Sequence, residues 1–248
     1  MSNSTEVGLS TTLSVPKAAE VIAEDLRNEI IVKGLPPGSP MPSEPELMAR
    51  YRFSRASVRE ALRLLESDGL IYIKRGPRGG VRVNHPDDSH VSRSFSLLFA
   101  TRGTPLRDLI RFRQVLEPEA ASQAALHATT VHHERLMEAT EQSSRRGDNF
   151  HAVLLGCVPN EMLRVTLTAV QRLSDWHIPM EPLGSEEIAG AHKAHRRIAL
   201  AIVRGDGEAA AQSMLHHLQS FEQVLHDLGR LDQPIIPREH WRERSARA

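Results

Sequence analysis

The chain has 248 residues, as many acidic as basic side chains, and only 4% aromatic residues. This length allows two domains, no apolar run approaches the roughly 20 residues that span a bilayer, and the few aromatics argue against stacking platforms for single-stranded nucleic acid. A single cysteine, Cys157, excludes an internal disulfide and a thiolate zinc site, so we expect a cytoplasmic protein with this thiol buried. We expect no membrane partner, because the chain lacks a long apolar run. Residues 1–15 are polar and lack the pattern of a secretory signal, which predicts a disordered leader.

A helix-turn-helix pattern follows. Pro42 opens a short helix that ends near Tyr51, and Ser54 is placed to cap a second helix that Gly69 stops. Apolar residues of the second helix share one face, which predicts packing there. A neighbouring stripe of the same helix carries cations at every fourth position: Arg55, Arg59 and Arg63.

Two β-prone runs, 70–73 and 81–83, flank a glycine-rich loop with three cations, which predicts a hairpin suited to lie beside a DNA backbone. Between Arg50 and Arg82 there are nine basic and three acidic residues, although the whole chain has zero net charge. A charge run alone is more often a solvated face. The capped helix, the turn and the hairpin together favour a winged helix-turn-helix that binds duplex DNA.

A polar, proline-marked break precedes a second region in which we find no convincing strand. Apolar residues repeat at helical spacing in six runs: 106–127, 131–141, 150–158, 162–176, 188–203 and 209–228. We therefore predict a mostly α chain, with a winged helix-turn-helix of three helices and a β-hairpin followed by a bundle of six or seven helices. The expected division is a leader at 1–15, a DNA-binding domain at 16–84, a linker at 85–91, a helical domain at 92–231 and a tail at 232–248.

Three histidines lie on the predicted inward faces of this bundle. His195 lies on the stripe that begins at Ile188, and His151 shares an apolar face near the start of another helix. His217 lies on the stripe of the last helix, which leaves its neighbour His216 outward. A lone inward histidine is more often a hydrogen-bonded core residue, whereas three converging imidazoles form a divalent-metal site. Spacing alone leaves both interpretations open.

Arg113 and Glu117 lie on the inward stripe of the first predicted helix of the bundle. One interpretation is a buried i,i+4 ion pair that fixes helix packing. The other is that Arg113 presents its planar fork to the carboxylate of a ligand, which arginine does better than lysine.

The first region resembles the DNA-binding domain of the GntR family of bacterial transcription regulators. The similarity covers about residues 17–83, including the Pro-Gly link at 36–38 and the segment SRASVREAL that begins at Ser54. It implies that the residues facing DNA are Ser54, Arg55, Ser57, Arg59, Arg75 and Gly76. Pro45 departs from the family pattern, because relatives often have an arginine there that touches DNA, and this departure implies a different operator preference.

The second region is similar to the FadR-type effector domain of that family, called FCD. The similarity rests on three stretches: Phe150-His151 with Asn160 downstream, AHRRIALAI from Ala194, and MLHHL from Met214. In such domains three histidines and an aspartate hold a metal ion, which implies His151, His195 and His217 as ligands here.

The fourth metal ligand and the effector contacts also follow from the resemblance. The family usually has its aspartate where this chain has Gly147, so Asp148, one residue nearer, is the candidate, and a three-histidine site completed by water or effector is the alternative. The resemblance favours Arg113 and Asn160 as effector-binding residues. Zinc, nickel, cobalt and manganese suit such a donor set in different degrees.

The resemblance implies a transcriptional regulator, usually a repressor, and not an enzyme. It predicts a homodimer that binds a pseudo-palindromic double-stranded operator and responds to a small organic acid held near a divalent metal ion such as zinc or nickel. One alternative is a regulator whose metal is structural or absent. A metal-dependent hydrolase is disfavoured, because no glutamate accompanies the histidines in a His-Glu-x-x-His motif.

Overall fold

The computed structural model describes residues 15–76, 79–141, 150–177, 183–237 and 241, so residues 1–14 of the predicted leader lie outside it. The chain divides into two compact units, Met1–His90 and Val91–Ala248. Each unit has a hydrophobic core built from its own residues.

The first unit is a winged helix-turn-helix, as the sequence predicts. Its elements are α1 (Val15–Val32), α2 (Glu44–Tyr51), α3 (Arg55–Ser67), β1 (Ile71–Lys74) and β2 (Gly80–Val83). The strands are antiparallel and pair from Ile71 with Val83 to Lys74 with Gly80. Helix α1 packs against α3, and fully buried Leu26 and Leu65 belong to the core between them. This packing leaves the cationic stripe of α3 on the opposite side.

Caps fix both ends of α3. The Ser54 hydroxyl accepts a hydrogen bond from the Ser57 amide at 3.2 Å, as predicted for an N-cap. Gly69 follows the C-terminal end with φ +74°, a left-handed conformation that favours glycine. A Cβ at this position would also lie 2.3 Å from Nε2 of His90, so glycine is required for the close approach of that ring.

The second unit is helical, which confirms the predicted bundle. Helix α4 (Asp88–Arg102) contains the boundary between the units. It is followed by α5 (Leu106–His127), α6 (Thr130–Glu141), α7 (Phe150–Leu155), α8 (Glu161–His177), α9 (Ser185–Val203) and α10 (Gly207–Asp227). None of the described helices is both long and apolar enough to cross a bilayer.

Helix α4 is not among the predicted runs, and its first turn lies within the segment 85–91 that was expected to be a linker. Its buried side chains are small, namely Ser92, Ser96 and Ala100, whereas Leu97 and Leu98 are exposed. Two phenylalanines, Phe95 and Phe99, also pack half-buried on the inward side, while exposed leucines lie between them. Apolar residues therefore occur on both faces of α4, and the sequence lacks the pattern of an amphipathic helix.

Helix α7 ends earlier than predicted, at Leu155 rather than at 158. After the Gly156 amide the hydrogen bonds reach only three residues back, from Cys157 to the Leu154 carbonyl at 2.9 Å and from Val158 to the Leu155 carbonyl at 3.1 Å. Both residues nevertheless remain buried, which agrees with the expected burial of the thiol. The apolar run continues through this turn because Cys157 and Val158 pack in the core, although they are not part of the helix.

Part of the segment predicted as a tail packs against the bundle. The Leu106 amide donates to the Gln233 carbonyl at 2.8 Å, and the Ile235 amide donates to the Thr104 carbonyl at 2.8 Å. The first of these bonds satisfies an amide at the start of α5 that has no partner within the helix. Ile235 and Ile236 are buried in a cluster with residues of α4, α5, α8 and α10.

Candidate nucleic-acid interface and metal centre

Helix α3 separates its apolar and cationic residues as the sequence predicts. Val58 and Leu62 are buried in the core of the first unit. The side chains of Arg55, Arg59 and Arg63 are 69%, 59% and 69% exposed. A helix with one packed face and one exposed basic face is the geometry of a recognition helix.

An acidic residue of α2 accompanies two of these arginines. Glu44 Oε2 lies 3.3 Å from Arg55 Nε, and its Oε1 lies 3.9 Å from Arg59 Nε. Sequence reasoning missed this arrangement, because Glu44 belongs to another helix and no spacing rule relates it to α3.

The remaining residues assigned to DNA differ in exposure. Ser54 is exposed while capping α3, whereas Ser57 is buried, with its hydroxyl 3.0 Å from that of Ser54. Arg75 and Gly76 are exposed at the tip of the hairpin, where Gly76 has φ +108°. Arg78, the third cation of the tip, lies outside the described residues.

Three helices bring the predicted histidines together in the second unit. Nitrogen atoms of His151 (α7), His195 (α9) and His217 (α10) all lie within 4.8 Å of one another. Nε2 of His195 is 3.2 Å from Nε2 of His217. His216, by contrast, is exposed, as predicted. The expectation that Ile188 faces inward is wrong, because it is 48% exposed in the first turn of α9.

The surroundings of His195 and His217 favour the neutral form of these two imidazoles. Burial, reinforced by the neighbouring His151, lowers the pKa of His195 and brings that of His217 to about 3. The ring of Phe150 stacks on that of His195 with centroids 4.5 Å apart. Neutral imidazole is the form that binds metal ions, so no proton has to be displaced from these two rings near neutral pH.

The spacing of the nitrogens also fits a metal ion. Zn–N distances of about 2.0–2.1 Å in a tetrahedral site place two ligand nitrogens about 3.3 Å apart. The Nε2 atoms of His195 and His217 are 3.2 Å apart. These two nitrogens therefore have the spacing of zinc ligands, and the nitrogen of His151, within 4.8 Å of them, is close enough to join the same ion. Three imidazoles leave a further coordination position open to another ligand. Asp148, the predicted fourth ligand, lies outside the described residues.

A buried carboxylate links this cluster to Arg113. Glu117 accepts from Arg113 Nε at 2.5 Å through Oε1, and its Oε2 lies 2.9 Å from Nδ1 of His151. Burial opposes ionisation of Glu117, but Arg113 and His151 outweigh it and hold the pKa of this carboxyl well below its usual range. The contact with His151 was missed from the sequence, because the two residues are 34 positions apart.

The two residues assigned to an effector have other partners in this structure. Arg113 is 2% exposed and forms the buried i,i+4 ion pair that was one of its two interpretations. Asn160 is exposed, and its Oδ1 accepts from the Leu163 amide at 3.1 Å, which caps α8.

Comparison with known proteins agrees with both halves of this description. The family described as bacterial regulatory proteins, gntR family, matches residues 18–83, and the family described as FCD domain matches residues 108–220. The chain is 29% identical over 238 residues to the HTH-type transcriptional repressor NanR of Escherichia coli strain K12, with 89% of each chain covered. It is 29% identical over 235 residues to the NanR of Citrobacter rodentium, with 88% of each covered.

A solved structure shows the same fold. The Streptococcus agalactiae protein described as GntR superposes with a TM-score of 0.59 at 24% sequence identity. The match covers 83% of the present chain and 99% of the other.

Proposed function

The chain belongs to the GntR family of bacterial transcriptional regulators, in the FadR-type branch that carries an FCD domain, and on this premise we propose that a small organic acid bound beside a metal ion controls its operator binding. It is a DNA-binding regulator and not an enzyme. Its NanR relatives are named repressors, which supports repression as the direction of control here. A regulator that acts on operators works in the cytoplasm.

The proposed DNA contacts come from the exposed basic face of α3 and from the wing. Arg55 and Arg59 reach base edges or phosphates, Arg75 and Gly76 lie beside the backbone, and the cap formed by Ser54 and Ser57 holds the start of α3 in place. Two such heads in a homodimer would read two half-sites related by two-fold symmetry, which is why we expect a pseudo-palindromic operator.

The observation that carries the metal proposal is the convergence of three inward imidazoles, two of which have a lowered pKa. His151, His195 and His217 would hold the ion. Water, Asp148 or an effector carboxylate would complete its coordination. An effector acts as a switch only if it binds the DNA-competent and DNA-incompetent arrangements with different affinity.

A regulator with a purely structural metal is the second candidate, and one observation favours it. Glu117 already engages Nε and one terminal nitrogen of Arg113, so this arginine is not an open fork for a ligand. An effector carboxylate would then contact the metal and only the remaining N–H groups of Arg113. Alternatively, no effector would bind.

Elemental analysis and native mass spectrometry of protein purified without chelator test the proposal. We expect about one divalent ion per chain, as in mononuclear sites of this type. His217→Asn should lose the ion, whereas His216→Asn should retain it, because His216 is the exposed neighbour on the same helix. Equal metal content in the two variants would contradict the assigned ligands.

Operator binding distinguishes the two candidates. Duplexes selected by the protein from a random library provide the operator, and a panel of small carboxylic acids provides the effector. A change in operator affinity that requires both an acid and the ion supports the switch. If no acid changes the operator affinity, and if removal of the ion by a chelator lowers only the stability of the protein, the metal is structural.

A further inference from the structure

Arg113, Glu117 and His151 form one continuous buried chain of polar contacts that ends at the proposed metal centre. Oε1 of Glu117 accepts from Arg113 Nε at 2.5 Å. Its Oε2 lies 2.9 Å from His151 Nδ1 and also accepts, at the longer distance of 3.4 Å, from Nη2 of Arg113. The side chains of all three residues are at least 91% buried, so bulk water does not compete for these bonds. The carboxylate is thus held on one side and faces the imidazole with the other.

The contact with Glu117 decides which nitrogen of His151 carries a proton. An ionised carboxylate is only an acceptor, so Nδ1 of His151 must be the donor in this hydrogen bond. In the neutral imidazole the other nitrogen, Nε2, then keeps its lone pair. Metal-binding histidines generally donate their second N–H to a carboxylate or carbonyl in this way.

We propose that Glu117 is a positioning residue of the metal centre, which fixes the tautomer of His151 so that Nε2 is its metal donor. Arg113 has a supporting part, because its two hydrogen bonds to Glu117 hold the carboxylate in place against His151. The inference rests on the proposed metal site, and it assigns the Arg113–Glu117 pair to that site and not to helix packing alone.

A matched pair of double variants isolates the hydrogen-bond acceptor. Removing Glu117 alone would leave the buried charge of Arg113 unpaired, which destabilises the fold. We therefore compare Arg113→Met/Glu117→Gln with Arg113→Met/Glu117→Leu. Both lack the two charges and have similar volumes, but only the first retains an oxygen that can accept from Nδ1 of His151.

Competition with a chromophoric chelator measures the Zn²⁺ affinity of each full-length variant. We expect the Glu117→Leu double variant to bind Zn²⁺ about 10–100 times more weakly than the Glu117→Gln double variant, the usual effect of losing an outer-shell partner. A role in packing alone would lower the thermal stability of either variant without separating their Zn²⁺ affinities.

The tautomer itself can be measured in the unmodified protein, so the inference does not depend on a variant that folds. Long-range ¹H–¹⁵N spectra of the metal-free wild type should show His151 protonated at Nδ1 and unprotonated at Nε2. The Glu117→Leu double variant should populate the opposite tautomer.

The outcomes separate the two levels of the proposal. If the wild type binds no Zn²⁺, the metal-dependent function fails and the positioning role fails with it. If the wild type binds Zn²⁺ but both double variants bind it equally tightly, or if wild-type His151 is protonated at Nε2, only the role of Glu117 is wrong.

Discussion

Arg113 illustrates how one acidic neighbour changes the meaning of a buried arginine. By itself, an inward arginine on a helix of an effector domain suggests a fork for a carboxylate ligand. Glu117, one turn later, takes two of its nitrogens and directs its own second oxygen to His151. The i,i+4 spacing makes the ion pair predictable. The contact of Glu117 with His151 was not predictable, because it depends on how α7 packs against α5.

Glu44 is likewise an acidic neighbour of arginines, at the surface, where it pairs with two of those proposed to contact DNA. Ion pairs this exposed contribute about 0–1 kcal/mol to stability, so stabilising the fold is not their main effect. In the free protein Glu44 lies beside Arg55 and Arg59 near the start of α3, and it would offset part of their charge at the proposed contact with phosphates.

We predict that Glu44→Gln reduces the preference for operator over unrelated duplex DNA. The variant loses one negative charge at the proposed DNA-binding face, so non-specific binding should tighten several-fold at low salt. Arg55 and Arg59 would also lose their charged partner, because the amide oxygen of glutamine is a weaker acceptor than a carboxylate. Dissociation constants for a selected operator and for a scrambled duplex of equal length give the ratio. Glu60→Gln is the matched control, since Glu60 pairs with Arg63 at 3.3 Å on the same helix. An equal change of the ratio in both variants would attribute the effect to charge alone.

At the scale of elements, the sequence predicts best where burial is apolar. Helix α5 is found at the predicted bounds, 106–127, because its buried face includes Leu106, Leu109 and Ile110. Helix α4 was not predicted because its fully buried positions are two serines and an alanine, and because its large apolar residues lie on both the inward and the exposed faces. The end of α7 was misplaced because Cys157 and Val158 are buried in a turn. The spacing of apolar residues indicates which residues are buried, and it indicates a helix only where the buried residues are also helical.

Small residues on α4 predict an unusual response to substitution. Ser96 is 2% exposed and donates to the Ser92 carbonyl at 2.6 Å, so the side chain fills its space without an apolar group. Ser96→Leu should destabilise the protein by about 1–3 kcal/mol through overpacking. Ser94→Leu, the same change on the exposed side of the helix, should stay within about 0.5 kcal/mol. Urea unfolding of both variants checks this, and a stabilising Ser96→Leu would mean that the face has room.

At the scale of the whole molecule, the two units differ in how far sequence predicts their function. The features that identify the DNA-binding unit are close together in the sequence, since its cap, basic stripe and hairpin all lie within the residues from Ser54 to Val83. The proposed metal centre draws its residues from α5, α7, α9 and α10. Its histidines were identifiable on separate helices, but their distances and the part played by Glu117 depend on tertiary packing that no spacing rule contains.

The distribution of aromatic residues makes the two units separately observable. Both tyrosines, Tyr51 and Tyr72, precede the boundary at His90, and both tryptophans, Trp176 and Trp241, follow it. Tryptophan fluorescence therefore reports the unit with the three histidines, and tyrosine absorbance changes report the winged helix-turn-helix.

We predict that Zn²⁺ added to chelator-treated protein raises the thermal transition seen by tryptophan and leaves that seen by tyrosine in place. An ion that binds only the folded unit at about 100 times its dissociation constant stabilises that unit by about 2.7 kcal/mol. For a unit of this size the midpoint should rise by about 5–10 °C. His217→Asn should abolish the shift and His216→Asn should preserve it. A shift of both transitions together would show that the units unfold as one, because stabilisation at the histidines can reach the tyrosines only through cooperative unfolding.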